Sequence, residues 1–210
     1  GGLTSGFTRE RPRPTDIFYG LDGDTNRANW ASTNGPDRWT SQFIPEGSAT
    51  NKLPEIFPVR SPAFFTAQAP AAALAAPSVE VVSDETQNDV RTLRLRVTSP
   101  RRAPVLTFAV NSDAGVTGAA VNGRPLEETL TDAELSESKR WSLRYHALPA
   151  EGFELTVRAK ASQPVSVRVV DQSYGLPQLD GRATTPRPDD MVLAQLSFND
   201  STFVSKSFTF

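Results

Sequence analysis

The sequence predicts an all-β protein: an antiparallel β-sandwich with an irregular N-terminal extension and little helix. Three observations carry that expectation. Apolar and polar residues alternate with period 2 through much of Ser78 to Val170, as they do in strands with one dry and one wet face. Turn-forming residues punctuate those runs at short spacing, Asn122-Gly123 most clearly. The chain also lacks the internal self-similarity of a solenoid or propeller.

Taken in order, residues 1–14 read as a flexible lead-in, polar and broken by Pro12 and Pro14. The opening Gly1-Gly2, with no Met, charged leader or apolar leader core, reads as the start of an excised fragment. Residues 15–76 are expected to be an irregular extension with short strands and one short helix. The strands are Ile17-Phe18-Tyr19 and, flanked by prolines, Phe57-Pro58-Val59 and Ala63-Phe64-Phe65. The helix is expected over residues 34–43, where Asn34, Pro36 and Asp37 supply start signals and Trp39 and Phe43 sit at i, i+4. Residues 68–77, alanine-rich and bounded by Pro70 and Pro77, read either as a linker or as an ordered crossover.

Residues 77–210 are expected to form the sandwich. Its strands are Ser78 to Ser83, Thr92 to Thr98, Val105 to Val110, Trp141 to His146, Phe153 to Arg158 and Val165 to Val169. A further strand, Val116 to Val121, runs into the Asn122-Gly123 turn, and Pro149 to Gly152 supply another turn. Thr131 to Lys139 are expected to add a helical turn, and the C-terminal strand to return to the sheet.

At 210 residues and 38% hydrophobic content the chain can bury a real core, as one large domain or two small ones. Twenty-two basic against 24 acidic residues give a net charge of −2, which offers no cationic footprint for nucleic acid or anionic lipid. No apolar run reaches the roughly 18 residues of a membrane span, so the fragment itself is not expected to cross one. The absence of Cys excludes disulfides, thiol catalysis and thiolate metal sites within the chain. A single histidine, His146, rules out metal sites built on two or more His and leaves one candidate base for a nucleophilic triad. No nucleophile motif accompanies it, and strand alternation places it opposite Trp141, Leu143 and Tyr145, facing solvent.

Four residues stand out as site candidates. Trp30 and Trp39 offer flat aromatic faces suited to a sugar platform or peptide groove, whereas the strand pattern assigns Trp141 to the core. Asp171 and Tyr174, at the end of a strand and followed by Gly175 and Pro177, suit a structural corner where a carboxylate or phenol satisfies loop amides. Asp22-Gly23-Asp24-Thr25-Asn26 is similar to the start of a calcium loop but lacks the later glycine and glutamate, and reads as a polar turn. The acidic group Glu127, Glu128, Asp132, Glu134 and Glu137 reads as a solvated loop, with paired-carboxylate glycosidase chemistry as its functional alternative. No glycine-rich stretch has phosphate-cradling spacing.

The segments Val169 to Pro177, Arg187-Pro188-Asp189-Asp190-Met191 and Phe203 to Phe210, with Trp141-Ser142-Leu143-Arg144-Tyr145 and Leu148 to Gly152, resemble the C-terminal region of bacterial multi-pass membrane peptidases of the di-zinc aminopeptidase family. Its eukaryotic relatives are the vacuolar membrane protease and the endoplasmic reticulum metallopeptidase. The resemblance implies a parent with an N-terminal zinc peptidase domain, transmembrane helices, and this non-cytoplasmic β-rich domain at its C-terminus. It carries no zinc ligands onto this chain, which offers no matching positions, so catalytic and metal residues in the fragment are expected to be none, with zinc held by the parent's peptidase domain.

The implied function is a non-catalytic extracytoplasmic accessory domain of a membrane-anchored zinc metallopeptidase, periplasmic or on another non-cytoplasmic face of a bacterial membrane. Its expected partners are its own peptidase and transmembrane domains and a peptide substrate. The alternative is a free-standing β-sandwich binding module for carbohydrate or peptide, built on Trp30 and Trp39.

Overall fold

The computed structural model describes residues 13–126, 140–179, 191–193 and 200–210. The strands in chain order are β1 (Arg13–Thr15), β2 (Phe18–Asp22), β3 (Arg27–Ser32), β4 (Thr50–Lys52), β5 (Ala63–Ala69), β6 (Ser78–Gln87), β7 (Val90–Thr98) and β8 (Val105–Val110). They continue as β9 (Gly118–Val121), β10 (Arg124–Pro125), β11 (Trp141–His146), β12 (Phe153–Lys160), β13 (Ser166–Tyr174), β14 (Met191–Leu193) and β15 (Ser201–Thr209). Helix among the described residues amounts to two 3-10 turns, Thr40–Gln42 and Ser112–Ala114. No described helix is long and apolar enough to cross a membrane.

Two sheets form the sandwich. The smaller has the order β10-β9-β12-β7-β6 and is antiparallel throughout; the larger has the order β11-β8-β13-β15-β2-β3-β5-β4. The alternation read in the sequence places Leu93, Leu95 and Val97 of β7 with Leu155 and Val157 of β12 on one inner face. Leu106, Phe108 and Val110 of β8 with Val167 and Val169 of β13 fill the other. Burying each such side chain stabilises by about 1.5–3 kcal/mol, so this layer is the main apolar core. Asn122 (φ 49°) and Gly123 (φ 79°) close the β9–β10 hairpin with positive φ at both positions, which two-residue hairpin turns demand.

The large sheet is mixed rather than purely antiparallel, because β15 runs parallel to β2 with Phe203 opposite Gly20 and Val204 opposite Leu21. That pairing corrects the view of residues 15–76 as an irregular extension: the segment supplies β2, β3, β4 and β5, half of the large sheet, joined edge-on to the C-terminal strand. Phe57-Pro58-Val59 is not a strand. Pro58 has no N–H for a ladder, and Ile56 and Phe57 instead donate backbone hydrogen bonds to the Leu53 carbonyl in a turn. Arg13 and Pro14, placed in the flexible lead-in, belong to β1, which pairs in parallel with β14. The rest of the lead-in, the Thr131–Lys139 helical turn and Arg187 to Asp190 lie outside the described residues.

The N-terminal half of the large sheet is covered on both faces. On one, Ile17, Tyr19, Leu21, Ala28, Trp30 and Val204 pack beneath Trp39, Phe43 and Ile44. On the other, Phe18, Ala31, Phe64, Val170 and Phe203 pack beneath Leu53 and Ile56. The proline-bounded segment 70–77 is an ordered crossover: the Tyr19 hydroxyl donates to the Pro70 carbonyl at 2.6 Å and accepts from the Ala72 N–H at 2.8 Å, while Leu74 and Ala76 lie against the Trp30 core.

Candidate functional site

Neither Trp30 nor Trp39 forms an exposed platform. Trp30 is 2% and Trp39 7% exposed. Trp30 sits on β3 opposite Tyr19 and Ala67, with its ring centroid 5.2 Å from Tyr19 and 4.7 Å from Phe43; Trp39 meets Phe43 at 5.6 Å. The i, i+4 pair therefore exists, but on a single 3-10 turn facing inward rather than on a surface helix. Asp37 builds that turn: its Oδ1 accepts from the Trp39 and Thr40 amides at 2.8 and 2.7 Å, and its own N–H donates to Thr40 Oγ1 at 2.8 Å. The physical reason for the correction is that Trp39, Phe43 and Ile44 pack on this part of the sheet and bury Trp30 beneath them.

Asp171 lies within β13 rather than at its end, and its side-chain partners are Arg101 and Ser99 rather than the loop amides expected of a corner carboxylate. Fully buried on β13, its Oδ1 accepts from Arg101 Nη2 at 2.7 Å and its Oδ2 from the Ser99 hydroxyl at 2.6 Å. Arg101 Nη1 also donates to Ser173 Oγ at 2.7 Å, and Ser99 Oγ accepts from the Ala103 N–H at 3.1 Å. The network fastens the β7–β8 connection, which passes from the small sheet to the large one, onto β13. Burial pushes the Asp171 carboxyl above its ordinary range, against the pull of Arg101 first and then of Ser99 and the Val204 amide. Arg101 lies 70 positions away in sequence, and no local pattern marks it.

Tyr174, grouped with Asp171 in the sequence reading, is 69% exposed and does not share this role. The corner is closed by Gly175 (φ 92°), whose N–H donates to the Asp200 carbonyl, and whose carbonyl accepts from Thr202 Oγ1 at 2.7 Å. The backbone and a threonine do what the phenol was expected to do.

Asp22 to Asn26 form a polar turn, with the Asp24 N–H donating to Asp22 Oδ1 at 2.9 Å. Asp24 faces cations and an amide rather than other acids: Arg168 at 3.3 Å, Lys206 at 3.5 Å, and the Ser207 N–H at 3.2 Å. Partial burial pushes its carboxyl up, but the Ser207 hydrogen bonds, then the charges of Arg168 and Lys206, outweigh this and hold it below the usual carboxylate range. Among the described residues no three acidic or histidine side chains gather into a metal-binding group. His146 is exposed on β11, on the face opposite Trp141 and Tyr145. The acidic group Glu127 to Glu137 lies outside the described residues.

A groove of about 60 Å³ lies on the outer face beside the 53–57 turn. Two cross-strand rows make its floor: Arg144, Thr107 and Val170 on β11, β8 and β13, and Val105, Gln172 and Phe203 on β8, β13 and β15. Ile56 and Phe57 wall one side. Alternation on β8 and β13 puts these residues on the face away from the sandwich core, but the turn that walls them comes from about 50 or more residues earlier, so no local pattern announces the groove.

No family model matches the chain, and no curated protein matches it.

Proposed function

We propose that this chain is a non-catalytic extracytoplasmic accessory domain of a membrane-anchored zinc metallopeptidase. Aminopeptidase-type proteolysis, and the zinc it uses, belong to a peptidase domain N-terminal to it. The observation that carries the reading is where the resembling segments fall. Trp141 to Tyr145 lie in β11, Val169 to Tyr174 in β13 and Phe203 to Thr209 in β15, and with β8 between them these strands are consecutive in one sheet. Three of the resembling segments thus fall on strands of one sheet.

A sheet with aromatic clusters on both faces and a buried ion pair at its corner suits a rigid spacer. Held on the non-cytoplasmic side by upstream transmembrane helices, such a body would bear on the peptidase domain and shape the access of peptide substrate. The binding-module alternative depended on Trp30 and Trp39, and burial of both removes its rings from solvent.

The test compares membranes carrying the full-length parent with the isolated chain on peptides bearing a free N-terminus. The reading expects N-terminal residue release by the parent that a zinc chelator abolishes, and none from the isolated chain. Chelator-sensitive hydrolysis by the isolated chain would overturn it.

A further inference from the structure

We propose that the outer-face groove is a binding site for a small aliphatic carboxylate, its apolar tail on Val105, Val170 and Phe203 and its carboxylate on Arg144. This inference is independent of the accessory-domain reading. Two arginines stand on the outer face of strands on either side of β8, and they are in opposite situations. Arg168 on β13 is neutralised by Asp22 and Asp24 at 3.8 and 3.3 Å, and also donates to the Glu55 carbonyl. Arg144 on β11 is exposed, and among the described residues no carboxylate pairs with it. It lines the groove, at the end of the Arg144, Thr107 and Val170 row.

The floor complements that charge with apolar surface. Val105, Val170 and Phe203 are buried, and the Phe203 ring is held by Phe18 and Phe57 at 5.4 and 5.3 Å, so the surface is preformed. The one amide in the floor, Gln172, is fixed by donating to Ser201 Oγ at 3.0 Å. Thr107 lies directly opposite Arg144 in the β8–β11 register, and its hydroxyl can donate to the second carboxylate oxygen. A guanidinium beside a hydroxyl recognises a carboxylate through charge-assisted hydrogen bonds. At about 60 Å³ the groove has room for roughly four to six water-sized positions, which fits a branched chain of about that many heavy atoms rather than a sugar or an extended peptide. Two sources supply that chemistry: a free short-chain acid, and the C-terminal residue of a peptide ending in a branched aliphatic side chain.

The experiment is an NMR titration of the whole chain with 4-methylpentanoate, its neutral isostere 4-methylpentanamide, and a short peptide ending in leucine with a free or an amidated C-terminus. We expect saturable shifts of the Val105 and Val170 methyl groups with the free acid or the free-terminus peptide, whichever is the natural source, and binding about tenfold or more weaker for the matching amide. Arg144→Ala, at an exposed position, should weaken binding by a similar factor while leaving the spectrum of the sandwich core unchanged, and Arg144→Lys should recover part of it. Absence of saturable binding by either acid, equal binding of acid and amide, or full affinity in Arg144→Ala would overturn the proposal.

Discussion

Replacing Arg101 by methionine tests whether the buried corner holds the two sheets together as described. Arg101 Nη2 lies 2.7 Å from the Asp171 carboxylate, and the Asp171 side chain has no exposed surface. Methionine roughly preserves the volume of the arginine stem but leaves a buried carboxylate with only Ser99 and a backbone amide as partners. Stranding a buried charge in this way costs about 3–5 kcal/mol. With an m-value near 3 kcal/mol/M, at the upper end for a chain of this size, the urea midpoint at neutral pH should drop by about 1–1.7 M.

The pH dependence gives the mechanism a signature. The Asp171 carboxyl is already raised by burial, and losing Arg101 raises it further. A raised carboxyl favours folding below its unfolded pKa, and that contribution is lost as pH rises through the folded pKa. The gap between variant and parent should therefore be small in acid, where Asp171 is protonated in both, and widen towards neutrality. Arg101→Met/Asp171→Leu, which removes the stranded charge, should recover most of the loss. A pH-independent gap, or a double variant no better than Arg101→Met alone, would refute the reasoning.

Phe18 meets Phe57, Phe64 and Phe203 edge-on at 5.7, 5.0 and 5.4 Å, and Phe18→Ala should destabilise by about 3–5 kcal/mol in a denaturant titration followed by tryptophan fluorescence. Gly152 has φ 73°, and a Cβ there would lie 1.9 Å from the Val97 carbonyl oxygen; Gly152→Ala should cost more than about 1–3 kcal/mol, the strain of the backbone region alone, and a loss within error would contradict the packing of that turn. Asp24, with its lowered carboxyl, should contribute stability that is present above its unfolded pKa and lost as pH falls through the lower folded value; acid-unfolding curves of Asp24→Asn should lose that part of the pH dependence. Buried Trp30 and Trp39 should resist iodide quenching, and their exposure to the quencher in the native protein would contradict the core placement.

Where one face of a strand is wet, the sequence was a sufficient guide. Phe153, Leu155 and Val157 alternate with Glu154, Thr156 and Arg158, and β12 buries the first set; β7 and the Asn122-Gly123 hairpin follow the same logic. That signal fades where both faces are covered. In β3, Ala28 and Trp30 point to one aromatic cluster and Ala31 to another, so the segment Arg27-Ala28-Asn29-Trp30-Ala31-Ser32 carries no clear strand signal. The join between β2 and β15 was illegible for a different reason: a parallel pairing has no local turn to announce it and depends on contacts about 180 residues apart.

The candidate site divides along the same line. Asp171 stood out in the sequence for its place shortly before Gly175, but its role comes from Ser99 and Arg101, 72 and 70 positions away, which no local pattern announces. Trp30 and Trp39 were misassigned because ring chemistry alone does not say which face of a loop or strand will be covered. Arg144 was visible only as the polar half of an alternating strand until the 53–57 turn was seen to wall the groove beside it.

The most direct test of the central proposal is to read and translate the coding DNA upstream of Gly1. The accessory-domain account predicts a domain carrying a zinc-ligand set of two histidines with aspartate and glutamate, followed by several apolar spans of about 20 residues. A secretory signal peptide encoded immediately upstream, with no peptidase domain and no spans, would contradict it.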